Sequence, residues 1–167
     1  MGARSITTLG GCLSIALGMV VPPAWAMPDG PALNGTYQAV TNGDWAKTDG
    51  VYRDQLTVIS TWSIESVCAN YQSCTGRITS DQGWSADMYF QTQSWRVRRT
   101  IPDWQRCPDG TASSGHQLFI FYPYAGSEFD ISSAVLVGED ITSGVPGACG
   151  RGYPVEIRIP FRLTKLS

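Results

Sequence analysis

The sequence predicts an all-β domain, an antiparallel meander of seven to eight strands that is barrel-like, with a β-sandwich as the alternative. Three observations predict it. Apolar and polar residues alternate with period two, most clearly over residues 154–166, where Val155, Ile157, Ile159, Phe161 and Leu163 oppose Glu156, Arg158, Arg162 and Thr164. Short polar turns such as Asn42-Gly43 and Thr48-Asp49-Gly50 separate the segments. After Ala26 no stretch carries the apolar period of a helix.

The strands follow in order. Asn34-Gly35-Thr36 turns into a short strand at 37–40. Over 55–67, Leu56, Val58, Trp62 and Ile64 fall on one face, and Gln55, Thr57, Thr61, Ser63 and Glu65 on the other. Strands are expected next at 75–79 and 85–91. In the strand at 95–101, Trp95, Val97 and Ile101 share a face, which puts Arg99 among the inward set. A buried guanidinium needs a partner or water. Arg99 therefore either lies at an open barrel mouth or faces a pocket and binds an acid group, while Arg96 and Arg98 point to solvent. Residues 102–115 read as a loop, 116–124 as the most apolar strand, 134–137 as a short strand and 138–152 as a glycine-rich loop. In the last strand Pro160 falls on the polar face, which favours an edge or a bulge. The stretch 81–107 holds Trp84, Trp95 and Trp104 with four arginines, and its large side chains are the expected centre of the core.

The N-terminus reads as an export signal over residues 1–26. Arg4 precedes an apolar run of about 16 residues, short of the roughly 20 that a spanning helix needs, and Ala24-Trp25-Ala26 supplies a small-x-small cleavage site. Leu9-Gly10-Gly11-Cys12 resembles a lipoprotein box, but most of the apolar run lies after its cysteine. Residues 27–33 are expected to form a flexible lead-in, and 34–167 a single domain. Of 167 residues, 141 remain after the signal, with eleven Lys and Arg against fourteen Asp and Glu, a charge of −3. This mild acidity gives no reason to expect nucleic acid or an anionic membrane as partner, and no later segment is apolar enough to span a membrane. Cys68, Cys74, Cys107 and Cys149 remain, an even number in an exported chain, so two disulfides are expected. The spacing favours Cys68–Cys74 and Cys107–Cys149, and a zinc site is disfavoured for want of a second close pair.

Reaction chemistry is sparse. His116 is the only histidine, stands at the start of an apolar strand, and reads as structural. There is no G-x-S-x-G elbow, phosphate loop or metal cluster, and no cofactor is expected. Glu65, Asp81, Asp87, Asp103, Glu139 and Asp140 are candidates for paired carboxylates acting on a glycan. Trp62, Trp84 and Trp95 sit at strand positions and read as core. Trp45 and Trp104 lie beside turns, and with Arg99 they are the candidate ligand-binding residues.

Taken together, Gly35-Thr36-Tyr37, Gly43-Asp44-Trp45-Ala46-Lys47-Thr48, Ser60-Thr61-Trp62, Cys74-Thr75-Gly76, Ser80-Asp81-Gln82-Gly83-Trp84, Pro102-Asp103-Trp104 and Cys107-Pro108-Asp109-Gly110-Thr111 resemble small exported proteins of mycobacteria and related actinobacteria. The resemblance covers nearly all of the chain after the signal and implies an exported, disulfide-containing protein of the cell envelope or medium. It carries no activity onto named residues. Gly35-Thr36-Tyr37 also resembles the start of a lipocalin-type barrel, although that family usually has tryptophan where Tyr37 stands. The expected function is a non-enzymatic binding or interaction domain, with an envelope protein or a small ligand as partner. A small-molecule or lipid carrier barrel and a carboxylate-based envelope hydrolase are the alternatives.

Overall fold

The structure, a computed structural model, describes Gly2 and residues 30–167. Gly2 apart, the export signal expected over residues 1–26 lies outside the described residues. Eleven strands follow: β1 (Gly35–Thr41), β2 (Lys47–Thr48), β3 (Val51–Tyr52), β4 (Val58–Asn70), β5 (Ser73–Ser80), β6 (Trp84–Gln91), β7 (Ser94–Arg106), β8 (Ala112–Ala125), β9 (Glu128–Phe129), β10 (Val135–Gly144) and β11 (Glu156–Lys165). Eight of them pair in the order β1-β4-β5-β6-β7-β8-β10-β11, and β11 pairs back onto β1 from Tyr37↔Lys165 to Thr41↔Phe161. Every pairing is antiparallel. The expected meander is thus a closed barrel, and closure satisfies backbone groups that a sandwich would leave on its edges.

Alternation builds the interior. Tyr37 and Ala39 of β1, Trp62 and Ile64 of β4, Ile78 of β5, Met88 and Phe90 of β6, Trp95 and Val97 of β7, Phe119 and Phe121 of β8, Leu136 of β10 and Phe161 and Leu163 of β11 are all buried. Trp62 is the hub: it stacks on Phe161 with centroids 5.2 Å apart and meets Phe119 edge-on at 5.1 Å and Trp84 at 5.4 Å. Such pairs add roughly 0.5–1.5 kcal/mol each beyond the area they bury. The interior is therefore filled, and a deep carrier cavity through its centre is not what these side chains build.

Several elements differ from their expected extents. β10 runs to Gly144, although 138–152 reads as loop. Its inward positions are Leu136, Gly138, Asp140 and Thr142, so the apolar alternation is broken by the residues that shape the interior. A Cβ at Gly138 would lie 1.9 Å from the Ile120 carbonyl oxygen, so only glycine allows this approach to β8. β7 continues past Pro102 because its pairing with β8 shifts between Ile101 and Gln105, which takes the imide nitrogen out of the ladder. β4 begins at Val58, so Leu56 keeps its parity but precedes the barrel wall and is exposed.

Pro160 is on neither an outer edge nor a bulge. Its carbonyl accepts from the Asn42 N–H at 2.9 Å, so its nitrogen faces the same side, where β1 ends and β2 takes over pairing with β11. The missing N–H removes no bond to β10.

The segment expected as a flexible lead-in makes specific contacts over its described part. Trp95 Nε1 donates to the Pro31 carbonyl at 3.1 Å in a buried bond. The Leu33 N–H donates to Ser66 Oγ at 2.7 Å, and Leu33 joins the core cluster. These contacts cover one end of the barrel. Both disulfides have the expected pairing: Cys68–Cys74 joins directly opposed residues of β4 and β5, and Cys107–Cys149 ties the β7–β8 loop to the β10–β11 loop.

Candidate functional site

At the barrel end away from Pro31 the aromatic core stops short of the rim, and a pocket of about 350 Å³ opens above it. Trp62, Phe119, Phe161 and Ala39 form apolar walls. Thr41, Ser60, Gln82, Trp84, Arg99, Gln117 and Asp140 bring polar groups and one more aromatic face. Successive strands contribute one inward position each near their mouth ends: Arg99 from β7, Gln117 from β8 and Asp140 from β10, adjacent strands in the barrel order.

These three side chains form a relay. Gln117 Nε2 donates to both Asp140 oxygens at 2.8 Å, and Gln117 Oε1 accepts from Arg99 Nε. The Arg99 guanidinium lies over the Trp84 ring, 4.3 Å from its centroid, and Trp84 in turn stacks on Phe119. Each partner has a physical task. The indole fixes the plane of the guanidinium. Gln117, a donor at one end and an acceptor at the other, joins a carboxylate to a cation that do not touch. Arg99 is held through Nε, and its two terminal amino groups have no hydrogen-bond partner among the described residues.

Burial dominates the electrostatics. Asp140 is 5% exposed. Desolvation pushes its pKa up to about 6, while the Gln117 amide and the Arg99 charge pull it back. Desolvation also lowers the Arg99 pKa from its ordinary value, and Asp140 opposes that shift. The indole N–H of Trp62, in the pocket wall, has no hydrogen-bond partner among the described residues. An unpaired buried donor costs roughly 1–3 kcal/mol.

Of the three expected ligand-binding residues, the structure brings only Arg99 to this pocket. Trp45 is exposed on the turn before β2, edge-on to Tyr52 at 6.4 Å. Trp104 is half-buried and lies flat against Gly115, where a Cβ would come within 2.7 Å of the indole. Of the six carboxylates considered for acid–base work, only Asp140 lines the pocket. Asp87 pairs with Arg77 and Glu139 with Arg158, both on the exposed surface. His116 is exposed on β8. Sequence reasoning missed Gln117. Its parity with Phe119 and Phe121 marks it as inward, but the segment's overall apolarity hides this.

A search of solved structures finds the same fold in the sensor domain of PknI from M. tuberculosis, in its monomer form, with a TM-score of 0.59. The match covers 81% of this chain and 88% of that one, at 18% identity, a likeness of fold alone. No protein-family model and no curated protein matches the sequence.

Proposed function

We propose that the chain is an exported binding domain of the cell envelope or extracellular space. Its mouth pocket takes a small molecule with an acid group on an apolar or aromatic body. The observation that carries this reading is the Asp140–Gln117–Arg99–Trp84 relay. It holds a guanidinium flat and half-buried at an apolar cavity, the arrangement that pairs with a carboxylate or phosphate. Trp62 and Phe119 would contact the ligand body, and the unpaired Trp62 N–H would gain an acceptor. The two disulfides suit an oxidising compartment. A fold shared with a domain named as a sensor supports binding over catalysis, as does a pocket with a single carboxylate.

Indole fluorescence tests the reading, because Trp62 and Trp84 both line the pocket. Benzoate, octanoate and phenyl phosphate are the probes. Saturable quenching by at least one of them, lost in Arg99→Gln, is expected. Equal quenching of both proteins, or none with any probe, would reject it.

A further inference from the structure

The other end of the barrel carries a second groove, of about 630 Å³, where the β4–β5 tip, the β6–β7 turn and the segment following β8 converge. We propose that this groove binds a neutral saccharide. Tyr71, Tyr89 and Phe129 supply aromatic surfaces, and Gln72, Gln91 and Gln93 supply side-chain amides. Tyr71 is 64% exposed and Phe129 37%, and the three glutamines are exposed as well.

No lining residue of this groove carries a formal charge. Charged groups border the groove without lining it: Asp130 accepts from Ser132, Glu128 is exposed on β9, Arg96 stands opposite Tyr89 and donates to Ser94 Oγ, and Arg98 lies over the Tyr89 ring at 5.8 Å. Within the lining itself no cation is present to pair with an anionic ligand. An apolar one would cover the amides without pairing them. A sugar without charge fits both halves of the lining: its C–H faces lie on aromatic rings, and its hydroxyls, each donor and acceptor, meet amides that are also both. The volume falls within the roughly 300–1,000 Å³ of small-molecule sites.

The turn at the groove's rim supplies a second, independent observation. Thr92 (φ 53°) and Gln93 (φ 59°) both occupy the left-handed region between the paired Gln91 and Ser94. A two-residue turn of this kind is relaxed by Asn-Gly, and a β-branched residue there is a rare outlier. The chain keeps two side chains that can hydrogen-bond at a place where the backbone would favour having none, and both line the groove.

The test is ¹H–¹⁵N NMR titration of the purified protein with four neutral probes, maltohexaose, cellohexaose, laminarihexaose and mannohexaose, to about 10 mM. At least one is expected to shift amides of residues 71–75 and 89–93 saturably. Tyr71→Ala and Gln91→Ala should each weaken that probe about tenfold, the loss of one aromatic or hydrogen-bonding contact. Arg99→Gln should leave it unchanged, which separates this site from the mouth pocket. Thr92→Asn with Gln93→Gly should raise the melting temperature while weakening the saccharide. No shift with any probe, shifts confined to the mouth pocket, or binding that survives both alanine variants would overturn the proposal.

Discussion

Asp140 lowers the stability of the barrel at the pH where its charge is used. Its pKa is about 6 in the folded protein against an ordinary 3.8, so between these values the folded state holds a proton that the unfolded chain releases. The contribution is fully present below about pH 3.8 and is lost as the pH rises through 6, a difference of about 3 kcal/mol. Asp140→Asn, which mimics the protonated form, should therefore be more stable than the parent at pH 7.5 by about 1–3 kcal/mol, and its stability should change less between pH 4 and 6. Urea unfolding across that range measures both, and an unchanged slope would contradict the assignment. Because Arg99 pulls the Asp140 pKa down, Arg99→Gln should move the loss of stability to higher pH. An acidic ligand should bind more tightly as the pH falls through 6, since protonation removes the carboxylate that competes for Arg99. Gly138→Ala places a methyl group on the Ile120 carbonyl in a continuous ladder and should destabilise by about 3 kcal/mol or more in the same assay.

At the scale of elements, legibility follows the chemistry of the inward face. The eight barrel strands were readable where that face is apolar. Trp95 and Val97 placed Arg99 inward, and Val155 to Leu163 placed β11. β10 extends beyond its apolar signal because its inward positions include Gly138, Asp140 and Thr142, of which Asp140 lines the mouth. The two-residue strands β2, β3 and β9 have no period to detect. The contacts of Pro31 and Leu33 were also invisible, because their partners Trp95 and Ser66 lie far along the chain. The disulfides belong to this scale as well. Chain-entropy reasoning gives about 2.4 kcal/mol for closing the Cys68–Cys74 loop and about 4 kcal/mol for Cys107–Cys149. The double serine variant at 107 and 149 should therefore lose more stability than that at 68 and 74, read from urea midpoints. The reverse order would mean that the β10–β11 loop is held mainly by other contacts.

For the whole molecule, one closed barrel has a filled centre and two dissimilar ends. One end presents a fixed cation over aromatic rings, and the other an uncharged groove of aromatics and amides. The antiparallel meander was legible from strands joined by short turns, but closure was not: a sandwich fits the same pattern, and only the pairing of β11 with β1 decides for the barrel. That Arg99, Gln117 and Asp140 meet was not legible either, because it depends on the register of β7, β8 and β10, in which Arg99 stands opposite Gln117 and Asp140 opposite Phe119. Whether the mouth pocket holds an acidic ligand through Arg99 can be read by native mass spectrometry of the protein and its Arg99→Gln variant, both purified from the native host. A bound small molecule is expected on the parent, lost on denaturation and absent from the variant. The same bound mass on both proteins, or ligand-free protein in both, would contradict it.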